Sequence, residues 1–187
     1  YGFHNEYVAE AMHKYPEKFL GAGTFDPFAH YADQIYERLT HELGFRVIKF
    51  ETSTGGGLMS IHKPYDLFQV FDPIAEKMEK NGQVLVLDIG SPGMTSFQPE
   101  AVAKLAEKHP GINIIICHLL APTLKDENVL RESLEILKAK NIWFDLAAVP
   151  FNVKPECYPY PTGQKYIALA KEIVGADKLI WGTDVPS

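Results

Sequence analysis

The sequence predicts an α/β fold in which short parallel strands alternate with helices. Three observations carry that expectation. Six apolar, strand-like runs recur along the chain, each followed by a charged or titratable residue. Segments with apolar residues at helical spacing lie between them. The links from strand to helix are long and rich in Gly, Pro, Ser and aromatics, whereas those from helix to strand are short.

Taken in order, residues 6–15 read as a helix with Val8, Ala11, Met12 and Tyr15 on one face. The strand 20–25 follows and leads into Asp26. Residues 31–43 carry Ile35, Leu39 and Leu43 four apart, a helical spacing, and the strand 46–50 leads into Glu51. Helix 67–80 presents Leu67, Val70, Phe71, Ile74 and Met78; strand 84–87 leads into Asp88. Helix 99–108 opens on Pro99, a favoured first-turn residue, and buries Val102, Leu105 and Ala106; strand 113–117 leads into His118. Helix 128–139 carries Val129, Leu130, Leu134 and Leu137, and strand 142–144 leads into Asp145. Helix 164–174 carries Ile167, Ala170, Ile173 and Val174 before the last strand, 179–183, which leads into Asp184.

The strands are continuous apolar runs, the pattern of strands covered on both faces or closed into a barrel. If they are parallel and sequential, Asp26, Glu51, Asp88, His118, Asp145 and Asp184 share one rim, the rim where α/β folds bind ligands. Long loops on that rim and tight turns on the other match a TIM-barrel-like (β/α)8 fold, with an open doubly wound sheet as the alternative. The loop with Gly55-Gly56-Gly57 lacks the Lys-Ser/Thr of a phosphate loop and reads as a flexible connection.

A net charge of -6 without a Lys/Arg stripe argues against nucleic acid as a partner. No run of apolar residues is long enough for a bilayer. Two cysteines, Cys117 and Cys157, make neither a disulfide framework nor a zinc finger, so a cytoplasmic setting is expected. The length suits one domain over 1–187. The chain starts without Met and stops just after a strand, which predicts a fragment.

Two rim residues carry the most chemistry. His118 can bind a metal, polarise a carbonyl or move a proton. Asp184 can ligate a metal and take a proton from metal-bound water. Lys49 alternates with Ile48 and Phe50, so it points into a barrel or stands in solvent; pointing inward, beside Glu51 or Asp88, it suits a substrate carboxylate. His62, in the glycine loop, is a third candidate for touching substrate. Tyr158 and Tyr160 read as loop packing.

Several stretches resemble the amidohydrolase-related family of metal-dependent hydrolases and decarboxylases. They are Tyr15-Pro16-Glu17-Lys18-Phe19-Leu20-Gly21 running on to Asp26-Pro27, Gly44-Phe45-Arg46-Val47-Ile48-Lys49-Phe50, Ile115-Ile116-Cys117-His118, and Trp181-Gly182-Thr183-Asp184-Val185-Pro186. The resemblance implies that the six strands are the third to eighth of a metal-dependent barrel. Its first strand, with a His-x-His pair, has no counterpart here. It implies a metal set drawn from Asp184, His118 and Asp88, with zinc or manganese the fitting ions by donor type. The family's metal-ligating His at the end of its fifth strand falls on Leu87, one place before Asp88. A one-residue step reverses side-chain direction, so Asp88 is expected to substitute only if the strand is bulged.

The expected function is a metal-dependent hydrolase acting on a small carbonyl or carboxylate substrate. The alternatives are a non-oxidative decarboxylase of the same family, with His118 handling the proton, and a metal-free barrel that serves as a binding protein. A phosphate-binding α/β domain rests on Gly55–Gly57 alone. The expected partners are a small-molecule substrate and, as one option, a second copy in a homodimer.

Overall fold

The computed structural model describes residues 3–184. Tyr1, Gly2 and Val185 to Ser187, the last three including the end of the 181–186 motif, lie outside the described residues. The chain order is α1 (Asn5–Lys14), β1 (Ala22–Gly23), α2 (Ala32–Glu37, continued by a wider turn over Arg38–Glu42) and β2 (Val47–Glu51). Then come α3 (Leu58–Ile61), α4 (Leu67–Lys80), β3 (Val84–Asp88), α5 (Pro99–Lys108), β4 (Asn113–Ile116), α6 (Glu127–Ile136) and β5 (Ile142–Asp145). α7 (Val149–Asn152), α8 (Pro161–Val174) and β6 (Leu179–Ile180) complete it. All six strands lie in one sheet in sequential order, and every pair is parallel.

Within that order the register is tight. Phe50, Leu87 and Ile116 pair in succession, and Ile116 pairs with Phe144. These four, with Ile48, Leu85, Ile114 and Ile142 one layer below, are at most 1% exposed. They form the face under the helices: the Phe50 ring lies 4.8 Å from that of Phe71 in α4. Burying each contributes roughly 1.5–3 kcal/mol. The opposite face carries Lys49, Val86, Ile115 and Trp143 in one register row, all half-buried. The strands are covered by helices on one face, and the other face is the inner wall of the expected partial barrel. The buried and half-buried positions alternate, because β1 and β6 each pair on one side only and six strands leave the inner face open.

The end strands are shorter than predicted. β1 keeps two residues of the expected 20–25, since only Ala22 and Gly23 find partners in β2; Leu20 stays 70% exposed. β6 stops at Ile180, and the backbone ahead of Asp184 leaves strand geometry. The short helices α3 and α7 fall in long loops that carry no helical periodicity, and α8 starts three residues early because Pro161 supplies its first turn.

Below the sheet, away from the rim, buried amides hold the turns. Asn141 is 9% exposed, and its Nδ2 donates to the carbonyls of Ala106 (3.0 Å), His109 (3.2 Å) and Ile112 (3.1 Å). Gln83 accepts from the Tyr36 hydroxyl at 2.6 Å and donates to the Phe45 carbonyl at 2.8 Å. Asn141→Ala strands three buried acceptors. It should lower unfolding free energy by about 2–4 kcal/mol in urea titrations; a loss within about 0.5 kcal/mol would mean that those carbonyls find other donors.

Candidate functional site

His118 stands at the centre of the rim. β4 ends at Ile116, one residue before its predicted end, and the chain turns into a left-handed stretch. His118, Leu119, Leu120 and Ala121 have φ of 60°, 50°, 68° and 46°, none of them glycine. Such a backbone costs L-residues about 1–2 kcal/mol each, and strain of this kind collects at functional sites. Burial of Leu119 and Leu120, 0% and 1% exposed, anchors the turn. Asp145, at the end of β5, holds its entrance: Oδ1 accepts the His118 N–H at 2.9 Å and the Ala147 N–H at 3.0 Å.

The imidazole then meets carboxylates. Nε2 lies 3.3 Å from Asp88 Oδ2, and Nδ1 lies 3.8 Å from Asp145 Oδ1. The second distance is too long for a hydrogen bond, and buried Nδ1 has no hydrogen-bond partner among the described residues. The Asp88 contact lifts the His118 pKa above its ordinary value; burial opposes, and the charges of Asp88, Asp145 and Asp184 add to the rise. For Asp88, burial pushes upward, but the His118 contact, the Gly90 amide at 2.9 Å and the charges of His118 and Lys49 together hold it below the usual carboxylate range.

Asp88 reaches this position without a bulge. Glu51 pairs with Asp88 in unbroken register, and Leu87 sits fully buried in the helix-facing row with Phe50 and Ile116. Strand alternation alone turns Asp88 to the inner face and Leu87 to the wall, and the bulge through which Asp88 was expected to take the ligand's place is absent.

One strand away, Lys49 and Glu51 line a cleft of about 290 Å³ with Phe3, Ala22, Thr24, Gly56, Gly57, Leu58 and Ile61. Lys49 points to the inner face, and its charge reaches Asp88 and Cys117. Glu51 accepts from the Ser53 hydroxyl at 3.0 Å. Gly57 is required by close packing, since a Cβ there would lie 2.4 Å from the Glu51 carbonyl oxygen. His62 is held elsewhere. Its Nε2 lies 2.8 Å from Asp26 Oδ2, its ring is 4.5 Å from that of Phe28, and no contact joins it to His118 or Asp88. The rim therefore divides into two groups: Asp26 with His62, and Asp88 with His118 and Asp145. Asp184 is exposed, with φ 58°, and its charge reaches His118.

Imidazole and carboxylates are the donors that zinc or manganese takes. Among the described residues, however, no three His, Cys, Asp or Glu side chains converge as a metal-holding group. Asp88 faces His118, and Asp145 faces backbone amides. The described residues alone do not fit a metal, because three protein donors is the usual minimum for catalytic zinc.

The sequence placed Asp145 on the rim but did not show its bonds to two amides. An Asp two places before a small residue, Ala147, is compatible with such a turn, but the His118 amide it also holds is 27 residues away in the chain. The left-handed turn has no sequence signal, since no glycine marks it.

The sequence model of the Amidohydrolase family matches residues 1–187. No curated protein matches the chain. Among solved structures, a TIM-barrel protein from Bordetella bronchiseptica is similar at TM-score 0.70 and 18% identity, covering 97% of this chain and 59% of its own. A zinc-bound amidohydrolase from Burkholderia multivorans is similar at TM-score 0.70 and 15% identity, over 97% and 64%. 5-Carboxyvanillate decarboxylase from Novosphingobium aromaticivorans, complexed with manganese, gives TM-score 0.62 and 19% identity over 97% and 58%. At these identities the likeness shows the fold: the six-stranded sheet is part of a TIM-type barrel. The chain spans about three fifths of each structure's length.

Two outcomes follow from the site's geometry. Ala121→Gly should stabilise by about 0.5–1 kcal/mol, because half-buried Ala121 gives up one methyl group and a left-handed φ becomes free of cost; destabilisation in chemical denaturation would contradict the left-handed turn. Cys117 is 3% exposed, and burial first, with the Asp145 and Asp88 charges, pushes its thiol up against the opposing pull of Lys49. Iodoacetamide followed by peptide mapping should label exposed Cys157 in the native protein and Cys117 only after unfolding; native labelling of Cys117 would show the site more open than described.

Proposed function

Because the chain belongs to the amidohydrolase family, we propose that it carries the proton-handling part of a hydrolase acting on a small carbonyl or carboxylate substrate. The observation behind this reading is the His118 imidazole. It is strained into place on the rim, paired with Asp88 through Nε2, and two strands from a cleft that holds Lys49 and Glu51.

The arrangement gives each residue a task. The cleft is lined mostly by apolar residues and offers room for the body of a small molecule. Lys49 carries no ion pair among the described residues and offers its ammonium to a substrate carboxylate or carbonyl oxygen. The carboxylates around His118 favour the imidazolium. His118 then donates a proton to the leaving group and recovers it from the attacking water, general acid–base work that contributes about 10²–10⁴-fold. Asp88 orients the imidazole. Glu51 and, beyond the glycine loop, His62 act on substrate position.

A second reading has support: an imidazolium on the same inner rim as Lys49 also suits non-oxidative decarboxylation. Carbon dioxide leaves with the bond pair on carbon, and His118 delivers the proton that replaces it. A divalent zinc or manganese ion belongs to the proposal with Asp184 as one donor and the remaining donors from the rest of the protein, which leaves His118 free for the proton. Bound, it would supply Lewis acidity.

The test is His118→Asn in the full-length protein, assayed with p-nitrophenyl acetate for hydrolysis and 5-carboxyvanillate for decarboxylation. Turnover should fall about 100-fold or more, while unfolding free energy changes by less than roughly 2 kcal/mol. Unchanged turnover in a folded variant removes His118 from the mechanism. Elemental analysis of protein purified without chelator should show zinc or manganese near one equivalent; its absence after reconstitution removes the metal from the proposal.

A further inference from the structure

We infer that Asp145 is a positioning residue that sets the aim of His118 through the backbone rather than through the imidazole. This rests on the reading of His118 as the proton-handling group. The inference comes from where the Asp145 oxygens go. Oδ1 accepts two backbone N–H groups, those of His118 at 2.9 Å and Ala147 at 3.0 Å. It stands 3.8 Å from His118 Nδ1, beyond hydrogen-bond reach, and Nδ1 keeps no hydrogen-bond partner among the described residues. Asp145 is therefore not the relay partner of the ring; Asp88 occupies that place at Nε2.

What Asp145 holds is the first amide of the left-handed turn. Four consecutive non-glycine residues with positive φ persist only where their surroundings over-determine them. Two anchors do so here. Leu119 and Leu120 are buried in the core beyond the imidazole, and Asp145 grips the amide of His118 itself. Between these anchors stands the His118 side chain, 14% exposed, with Nε2 3.3 Å from Asp88 Oδ2. Asp145 is fixed by strand pairing, since Ile116 and Phe144, the residues next to the turn and to Asp145, are register partners. The same carboxylate, by holding Ala147 N–H, also sets the loop against which Gly182 packs, where an added Cβ would meet the Ala147 Cβ at 3.1 Å. Asp184 follows two residues later, so this carboxylate ties the ends of β4 and β5 beside the segment that carries Asp184.

The test separates acceptor position from charge and needs no substrate. Asp145→Asn keeps an oxygen acceptor in place without charge; Asp145→Glu keeps the charge but displaces the oxygens by one methylene. NMR on the full chain follows the His118 and Ala147 backbone amides and the nuclear Overhauser contact between the His118 ring and the Asp88 β-protons. A positioning role predicts that Asn keeps both amide shifts and the ring contact, while Glu loses them. The reverse pattern, Glu like wild type and Asn disturbed, would make the role one of charge and overturn the inference. Retention of the ring contact in both variants, and in Asp145→Ala where that folds, would also overturn it. Since nothing here reads turnover, failure of the enzymatic reading would appear in the His118→Asn assays and leave this result standing.

Discussion

The two-residue alternation of β2 to β5 governs everything at the rim. Phe50, Leu87, Ile116 and Phe144 form one register row and are all buried under the helices. Slipping any of these strands by one residue would carry an entire apolar row to the open face, at a cost of roughly 1.5–3 kcal/mol for each large side chain exposed. With that row fixed, Lys49, Glu51, Asp88 and Asp145 have no choice of face. The chemistry of the site is thus enforced by residues that never touch it.

Upon that frame the site is built from one imidazole among carboxylates. Its parts act in series: hydrophobic burial fixes the strands, the strands fix Asp88 and Asp145, and Asp145 fixes the amide from which His118 departs. The left-handed turn is the strained element in the series. Its non-glycine residues are tolerated because buried leucines and a charge-assisted hydrogen bond hold both sides. Asp88 is already engaged by an imidazole and Asp145 by amides, so the two do not gather around a common centre.

Much of the fold was legible because its signals are periodic. Apolar runs ending in Asp26, Glu51, Asp88, His118, Asp145 and Asp184 revealed six sequential parallel strands and the shared rim, and the loop asymmetry pointed to the barrel type. The family resemblance of the 15–27, 44–50, 115–118 and 181–186 stretches agrees with the match over residues 1–187. What failed to show was non-periodic or non-local. The extents of β1 and β6 depend on how many partners an edge finds, which no local pattern encodes. The left-handed path of His118 to Ala121 lacks the glycine that would announce it. The division of the rim into an Asp26–His62 pair and an Asp88–His118–Asp145 group depends on contacts over 27 to 36 residues. Plain alternation sends Leu87 to the wall and Asp88 to the inner face, and the bulge that Asp88 would need to take the ligand's place is not formed.

The central claim is that Asp88 and His118 act on each other as one half-buried pair on the inner face. A double-mutant cycle on unfolding free energy, with Asp88→Asn, His118→Asn and the double variant, measures that interaction directly. With side chains 15% and 14% exposed and a 3.3 Å contact, the account predicts a coupling of about 1 kcal/mol or more. A coupling within about 0.5 kcal/mol of zero would show that the two residues are independent, and the site as described would not exist.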